Sequence, residues 1–103
     1  MDSSIIDFDQ RVGTVYKLYN TVNDLTCIDS TMLPITEVMN HITSMYYAKH
    51  PSLFYKYMRE IRIENWRIKI LDVKFIKSIN ELDAIVEACI QKEGCFKKLS
   101  FKE

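Results

Sequence analysis

Residues 13–31 constrain the fold more than any other part of the chain, because they predict a β-hairpin. In the segment GTVYKLY, residues 13–19, the side chains alternate between two faces, so that Tyr16 and Leu18 share one of them. A period of two is typical of a β-strand. The next residues, NTVND, are rich in Asn and Asp, which tolerate the left-handed backbone of turns. Residues 25–30 are therefore expected to return as an antiparallel strand.

The rest of the chain predicts three helices and one more strand. The first helix begins near Pro34 and ends near Ala48, and the second opens at Pro51 and Ser52. The segment NWRIKILDV alternates again and predicts a third strand, and Ser78 is a suitable N-cap for a last helix. The apolar residues expected to face the core are Ile35, Val38, Met39, Ile42 and Met45 in the first helix, Leu53, Phe54, Tyr57, Met58 and Ile61 in the second, Trp66, Ile68 and Ile70 in the third strand, and Leu82, Val86, Cys89 and Ile90 in the last helix.

The order of elements, β-β-α-α-β-α, predicts an α/β (α+β) domain with a small three-stranded, mostly antiparallel sheet flanked by helices. A chain of 103 residues with two glycines and two prolines has room for one core and little linker. We expect an N-terminal arm over residues 1–12, the domain over residues 13–98, and a short tail over residues 99–103.

Composition excludes several classes of protein. The net charge is zero, whereas a general nucleic-acid coat protein is normally basic. The apolar runs are too short to span a membrane, and the acidic N-terminus lacks the basic start of a signal peptide. We expect an intracellular, non-secreted protein with reduced thiols. Cys27 and Cys89 would be small core residues, and the cysteine spacing does not favour a zinc site.

The charges are unevenly distributed along the chain. Residues 1–31 hold five Asp against Arg11 and Lys17, whereas residues 49–77 hold eight Lys or Arg against three acidic residues. A basic middle segment is suited to a phosphate backbone, although solvated Lys and Arg side chains are the more common explanation. The candidate nucleic-acid-binding residues are Lys56, Arg59, Arg62, Arg67 and Lys69.

Four segments together resemble the GIY-YIG nuclease family. GTVYKLYN is similar to the family's first strand, G-x-I-Y-K-I-x-N, and CIDST to its second, Y-I-G-S-T. LFYKYMREIRIENW is similar to the family's L-Y-x-x-M-R-x-Y-G-x-E-N-F, with Arg62 where the family often has glycine. The last helix, with Glu81, Leu82 and Ile90, is similar to an E-L-x-x-x-E-x-x-x-I helix. The resemblance covers residues 13 to about 98.

The resemblance implies a metal-dependent endonuclease fold whose reacting groups are largely lost here. The family uses tyrosines of both strand motifs, an arginine of the first helix and a glutamate of the last helix that holds the metal. Tyr16 matches the first tyrosine, and His41 matches a histidine common in the first helix. The remaining positions are occupied by Cys27 for the second tyrosine, Val38 for the arginine and Val86 for the glutamate.

Loss of the metal ligand alone would remove several kcal/mol of transition-state stabilisation. Glu87 is adjacent to the glutamate position, but one residue rotates a side chain by about 100° around a helix. Glu87 is therefore a candidate metal ligand only in a shifted position, and Tyr16 and His41 are the candidate catalytic residues. We expect no cofactor, with Mg²⁺ or Mn²⁺ needed only if the domain is active.

These observations favour a degenerate, catalytically inactive GIY-YIG-type domain that serves as a protein-interaction or structural module through a protein partner or self-association. The alternatives are a weak metal-dependent DNA endonuclease with a rearranged site and a non-cleaving nucleic-acid-binding domain. The tyrosine-rich segment MYYAKHPSLFYKY suits a protein interface. The many Ile, Lys, Tyr and Asn residues suggest an AT-rich genome, and the resemblance suggests a large DNA virus or phage, with the protein in the virion or infected cell.

Overall fold

The computed structural model describes residues 11–93 and confirms the predicted order of strands and helices. A three-stranded sheet, in the spatial order β2-β1-β3, is antiparallel throughout. The elements are β1 (Arg11–Asn20), β2 (Cys27–Thr31), α1 (Ile35–Tyr47), α2 (Leu53–Ile61), a short 3₁₀ turn (Ile63–Asn65), β3 (Trp66–Ile76) and α3 (Ile79–Glu93).

The β1–β3 pair extends further than the sequence predicted at the end where Arg11 is opposite Ile76. β1 begins at Arg11, so residues 11 and 12 of the predicted arm belong to the sheet. β3 continues to Ile76, three residues beyond the predicted end of that strand. The rest of the predicted arm, the last part of the predicted domain and the predicted tail, residues 1–10 and 94–103, lie outside the described residues.

The hairpin turn forms as predicted, but not by left-handed backbone at Asn or Asp. Within residues 11–93, the non-glycine residues with positive φ are Lys49 and Arg62. Instead, Oδ1 of Asn20 accepts hydrogen bonds from the backbone N–H groups of Val22 and Asn23, at 2.8 and 2.7 Å. Its Nδ2 donates to the carbonyl of Leu25 at 3.0 Å. The nearly buried Asn20 amide therefore closes the loop from within.

β3 contains a bulge where it pairs with the central strand. Val15 is opposite Asp72 and Tyr16 is opposite Ile70, which leaves Leu71 as the extra residue. A bulge places two successive side chains on nearly the same side of the strand. Accordingly, Leu71 packs against the α3 side of the sheet, and Asp72 is opposite the buried Val15 on that side.

The helix starts were predicted correctly because capping residues mark them. Ser52 caps α2, where its Oγ accepts from the N–H of Tyr55 at 3.5 Å. Ser78 precedes α3, and its Oγ accepts from the N–H of Glu81 at 3.3 Å. Oε2 of Glu81 in turn accepts from the N–H of Lys77 at 3.1 Å, an exchange closely similar to a capping box.

Arg62, just after α2, has φ 80° and ψ 135°, a conformation that favours glycine. An arginine held there costs about 1 kcal/mol or more relative to a relaxed backbone. Arg62 thus adopts a positive φ although it is not a glycine. The N–H of Arg62 donates to the carbonyl of Met58 at 2.8 Å, and this bond closes the helix.

The two faces of the sheet carry separate hydrophobic clusters. The first face is covered by α1 and α2, and the second by α3. The first-face cluster comprises Tyr16, Leu18, Cys27, Val38, Ile42, Phe54, Tyr55, Met58 and Trp66. The second-face cluster comprises Val15, Ile28, Ile76, Leu82, Val86 and Ile90. Both faces of β1 are therefore buried, as suits a central strand.

Three predicted core residues were assigned wrongly. Met39, Leu53 and Ile70 are exposed, because the two hydrophobic clusters contact only some residues of each predicted apolar stripe. Tyr55, which the predicted stripe of α2 omitted, is buried beside Phe54, and their rings meet edge to face. Cys27 is fully buried and Cys89 is partly buried, in agreement with their predicted role as small core residues. Within residues 11–93, no helix is both long and apolar enough to cross a bilayer.

Candidate functional site

A cleft of about 180 Å³ lies between the β1–β2 hairpin and α1, at the place where the sequence positions the candidate catalytic residues. Tyr16 enters it from the central strand, directly opposite Asp29 in the β1–β2 ladder. His41 reaches it from the exposed side of α1, one turn after Val38. The described residues that line it are Tyr16, Asp29, Ser30, Thr31, Leu33, Val38, His41, Ile42 and Tyr55.

Tyr16 is held in its neutral form. Burial is the main cause that raises the pKa of its phenol far above the ordinary value, and the nearby carboxylate of Asp29 adds to the effect. Burial likewise raises the pKa of Tyr55 to about 12. A general base must be able to take up a proton near the working pH. In this environment the Tyr16 hydroxyl is a hydrogen-bonding group, and its anion is strongly disfavoured.

Alkaline pH is expected to destabilise the fold through these two tyrosines. In an unfolded chain a phenol has a pKa of about 10, so the folded state holds its protons more tightly. Their contribution to stability is complete below pH 10 and falls as pH rises above it, by about 1.4 kcal/mol per pH unit for each tyrosine. A titration followed by phenolate absorbance should show Tyr16 and Tyr55 ionising only together with loss of structure.

The matched control for this titration is Tyr47→Phe, because Tyr47 is an exposed tyrosine. It should leave the alkaline transition unchanged. Tyr55→Phe should make stability less dependent on pH above 10. Ionisation of all six tyrosines near pH 10 without unfolding would contradict the buried environment of Tyr16 and Tyr55.

The positions that the resemblance assigns to the missing reacting groups lie in the two cores. Cys27 is fully buried, and Val38 is nearly so at the edge of the cleft. Val86 is buried in the second-face cluster. The sheet thus separates Val86 from Tyr16, and the exposed Glu87 belongs to the same helix on that far side. Within residues 11–93, no three His, Cys, Asp or Glu side chains converge as a metal-binding group.

The candidate basic surface is divided between two layers. Lys56, Arg59 and Arg62 belong to α2 and its C-terminal end, and Arg59 is tied to the carbonyl of His50 at 2.9 Å. Arg67 and Lys69 alternate along β3 with Trp66 and Ile68, which pack on the α2 side. Strand alternation starts residues 67 and 69 on the opposite face, but the Arg67 guanidinium folds back and donates to the carbonyls of Glu64 and Trp66 at 2.9 and 3.0 Å. The five residues do not form one patch.

Sequence reasoning missed a different basic group on the second face. In the β1–β3 ladder Lys17 is directly opposite Lys69, and Tyr19 is directly opposite Arg67. The Lys17 Nζ lies 5.4 Å from the centre of the Tyr19 ring, within range of a cation–π contact. We call these four residues the basic sheet face. The pairing depends on the register of two distant strands, which local sequence patterns do not specify.

A second, larger groove of about 290 Å³ runs between α1, the 3₁₀ turn and the start of β3. The Nε1 group of Trp66, one of the residues that line it, is buried with no hydrogen-bond partner in the described part of the chain. None of the candidate catalytic residues lines this groove.

Comparisons with known proteins found no matching family model, no matching curated protein and no matching solved structure. The arguments for function therefore rest on the geometry of this chain.

Proposed function

We propose that this chain is a non-catalytic protein-interaction domain on a scaffold that resembles the GIY-YIG nucleases. The observation that carries the proposal is an apolar surface on the first face of the sheet that no other element within residues 11–93 covers. α1 and α2 cover the end of that face around Trp66 and leave the other end open. The exposed fractions there are 46% for Val12, 48% for Ile70, 55% for Val73 and 70% for Phe75.

These four residues form one continuous surface, which we call the open apolar face. Phe75 is directly opposite Val12 in the β1–β3 ladder, and Val73 is two residues before Phe75 on the same side. Ile70 follows across the bulge, opposite Tyr16. Contiguous exposed apolar surface on a small domain is typical of a site for another macromolecule, and aromatic side chains are enriched in protein interfaces.

The cleft around Tyr16 supports the non-catalytic part of the proposal. Phosphodiester cleavage needs positive charge where negative charge develops on the phosphate. The described residues that line the cleft include the carboxylate of Asp29 and no Lys or Arg. Asp29 would repel a phosphate at the place where the nuclease mechanism needs to hold one.

A plasmid-nicking assay tests the proposal. We expect the wild-type protein to leave supercoiled DNA intact in Mg²⁺ and then in Mn²⁺, with the same background as Tyr16→Phe. The substitution removes only the hydroxyl, so packing is largely preserved. Nicking by the wild type that Tyr16→Phe abolishes would overturn the proposal and establish a rearranged active site at Tyr16.

The basic sheet face favours one alternative function, binding of nucleic acid without cleavage. Lys17 and Lys69 place two positive charges directly opposite each other on the second face, and Tyr19 offers a ring for base stacking. Salt-sensitive DNA binding in the same assay series, weakened by Lys69→Glu but not by Lys56→Glu on α2, would support this alternative.

A further inference from the structure

β3 is a long strand with one edge unpaired by any strand within residues 11–93. It has 11 residues, whereas β2 at the other side of the sheet has five. Such an edge presents a row of backbone N–H and C=O groups to a further strand. The exposed side chains along this edge include three residues of the open apolar face, Ile70, Val73 and Phe75.

The segment ILDVKFI, residues 70–76, is chemically symmetric about Val73. Asp72 and Lys74 flank it with opposite charges, and both belong to the second face, where their side chains lie 3.7 Å apart. On the first face, Phe75 lies two residues after Val73, and Ile70 lies before it, across the bulge. A two-fold axis through Val73 would therefore bring unlike charges together and apolar side chains together.

We propose that two copies of this chain pair antiparallel through their β3 edges about a two-fold axis at Val73. The result is a six-stranded sheet in the order β2-β1-β3-β3-β1-β2. Asp72 of each copy is opposite Lys74 of the other, so two ion pairs form across the junction. A contact about a two-fold axis must be self-complementary, and this segment satisfies that requirement.

The apolar side chains match under the same operation. Val73 meets its own counterpart on the axis, and the bulge brings Ile70 of one copy opposite Phe75 of the other. β1 already pairs with the bulge in this way, since its consecutive residues Val15 and Tyr16 are opposite Asp72 and Ile70. Every exposed apolar residue of β3 on the first face thereby gains an apolar neighbour, and cross-strand pairs of this kind stabilise sheets.

This inference rests on the proposed interaction role and names its partner, a second copy. The interaction role and the dimer can fail separately. A monomer that does not nick DNA would overturn the dimer and leave a protein-interaction role with a different partner. A dimer that nicks DNA would overturn the non-catalytic role and leave the β3 junction intact.

Charge exchange at the junction tests the dimer. Sedimentation over a range of concentrations should show the wild-type mass rising from 12.2 kDa towards twice that value. Asp72→Lys and Lys74→Asp should each raise the dimer dissociation constant about tenfold or more, because like charges then face each other across the axis. The double variant D72K/K74D, or an equimolar mixture of the two single variants, should restore association.

Lys56→Asp is the matched control, because Lys56 is equally exposed but lies on α2. It should leave association unchanged. A wild type that stays monomeric at millimolar concentration would overturn the proposal. Single variants that associate as well as the wild type would overturn it too, because the interface would then lie elsewhere.

A cross-link keeps the test independent of charge. Opposite residues in an antiparallel pair have Cβ atoms close enough for a disulfide after small adjustment. Under a mild oxidant, Val73→Cys should give a covalent dimer, whereas Val12→Cys, on the same face but on β1, should give no more than the wild type with its own three cysteines. Equal cross-linking of both variants would contradict an axis at Val73.

Discussion

Replacing Val86 by glutamate is expected to lower the free energy of unfolding by about 3 kcal/mol or more. This substitution introduces the residue type that the family resemblance assigns to the metal ligand. Val86 is 1% exposed and packs among Val15, Ile28 and Leu82. A carboxyl group placed there must either ionise in an apolar environment or take up a proton at the cost of a raised pKa.

The loss should depend on pH in a specific direction. The unfolded chain releases the glutamate proton near pH 4.3, whereas the folded state would retain it to a higher pH. Denaturant unfolding should therefore show the smallest loss near pH 4 and a growing loss as pH rises from there. Glu87→Gln, one residue further along the exposed side of α3, should change stability by no more than about 0.5 kcal/mol.

Val38→Arg is the informative comparison for Val86→Glu. Val38 lines the cleft next to Asp29, so a long arginine side chain has a route towards solvent and a carboxylate. Its cost should be clearly smaller than that of Val86→Glu. If Val86→Glu unfolds with wild-type stability at neutral pH, position 86 is open to water and its assignment to the second-face cluster is wrong.

Phe54→Ala is expected to lower the free energy of unfolding by about 3–5 kcal/mol. Phe54 is fully buried, and its ring packs edge to face with Tyr55 at 5.2 Å and with Trp66 at 5.7 Å between ring centres. Removing it leaves a cavity at the centre of the first-face cluster and forfeits both aromatic contacts. Chemical denaturation followed by Trp66 fluorescence would measure the change.

Leu53→Ala is the neighbouring control. The periodicity of α2 predicts Leu53 as a core residue, but its side chain is 37% exposed. We expect a loss below about 1 kcal/mol, because little apolar surface returns to water. Equal losses of stability for Phe54→Ala and Leu53→Ala would show that α2 is rotated so that Leu53 also faces the core.

The elements of this fold were predictable because their signals are local. Alternation marks the strands, and Ser52 and Ser78 mark the starts of two helices. The bulge at Leu71 was not predictable, because it depends on how two strands distant in sequence come into register. That bulge brings Val73 and Phe75 to the first face together with Ile70, although simple alternation from Trp66 assigns them to the second face.

The candidate site was predictable only in part, for the same reason. The sequence placed Tyr16 and His41 near one another, and both line the cleft. It did not reveal that Val86 lies on the far side of the sheet, because a helical stripe specifies which side of a helix is buried but not which face of the sheet it covers. The basic residues were likewise separated by strand alternation and layer.

The position of β1 in the middle of the sheet also sets an order of folding. Its pairing with β2 needs only a short loop, whereas its pairing with β3 closes a long loop that contains β2, α1 and α2. Closing the longer loop carries the larger entropic penalty, so the hairpin should form first and β3 should dock late. During synthesis the central strand leaves the ribosome well before its longer partner. A nascent chain that ends before Trp66 would hold its central strand with one side unpaired, at the stage when that side is most accessible to chaperones and to other chains.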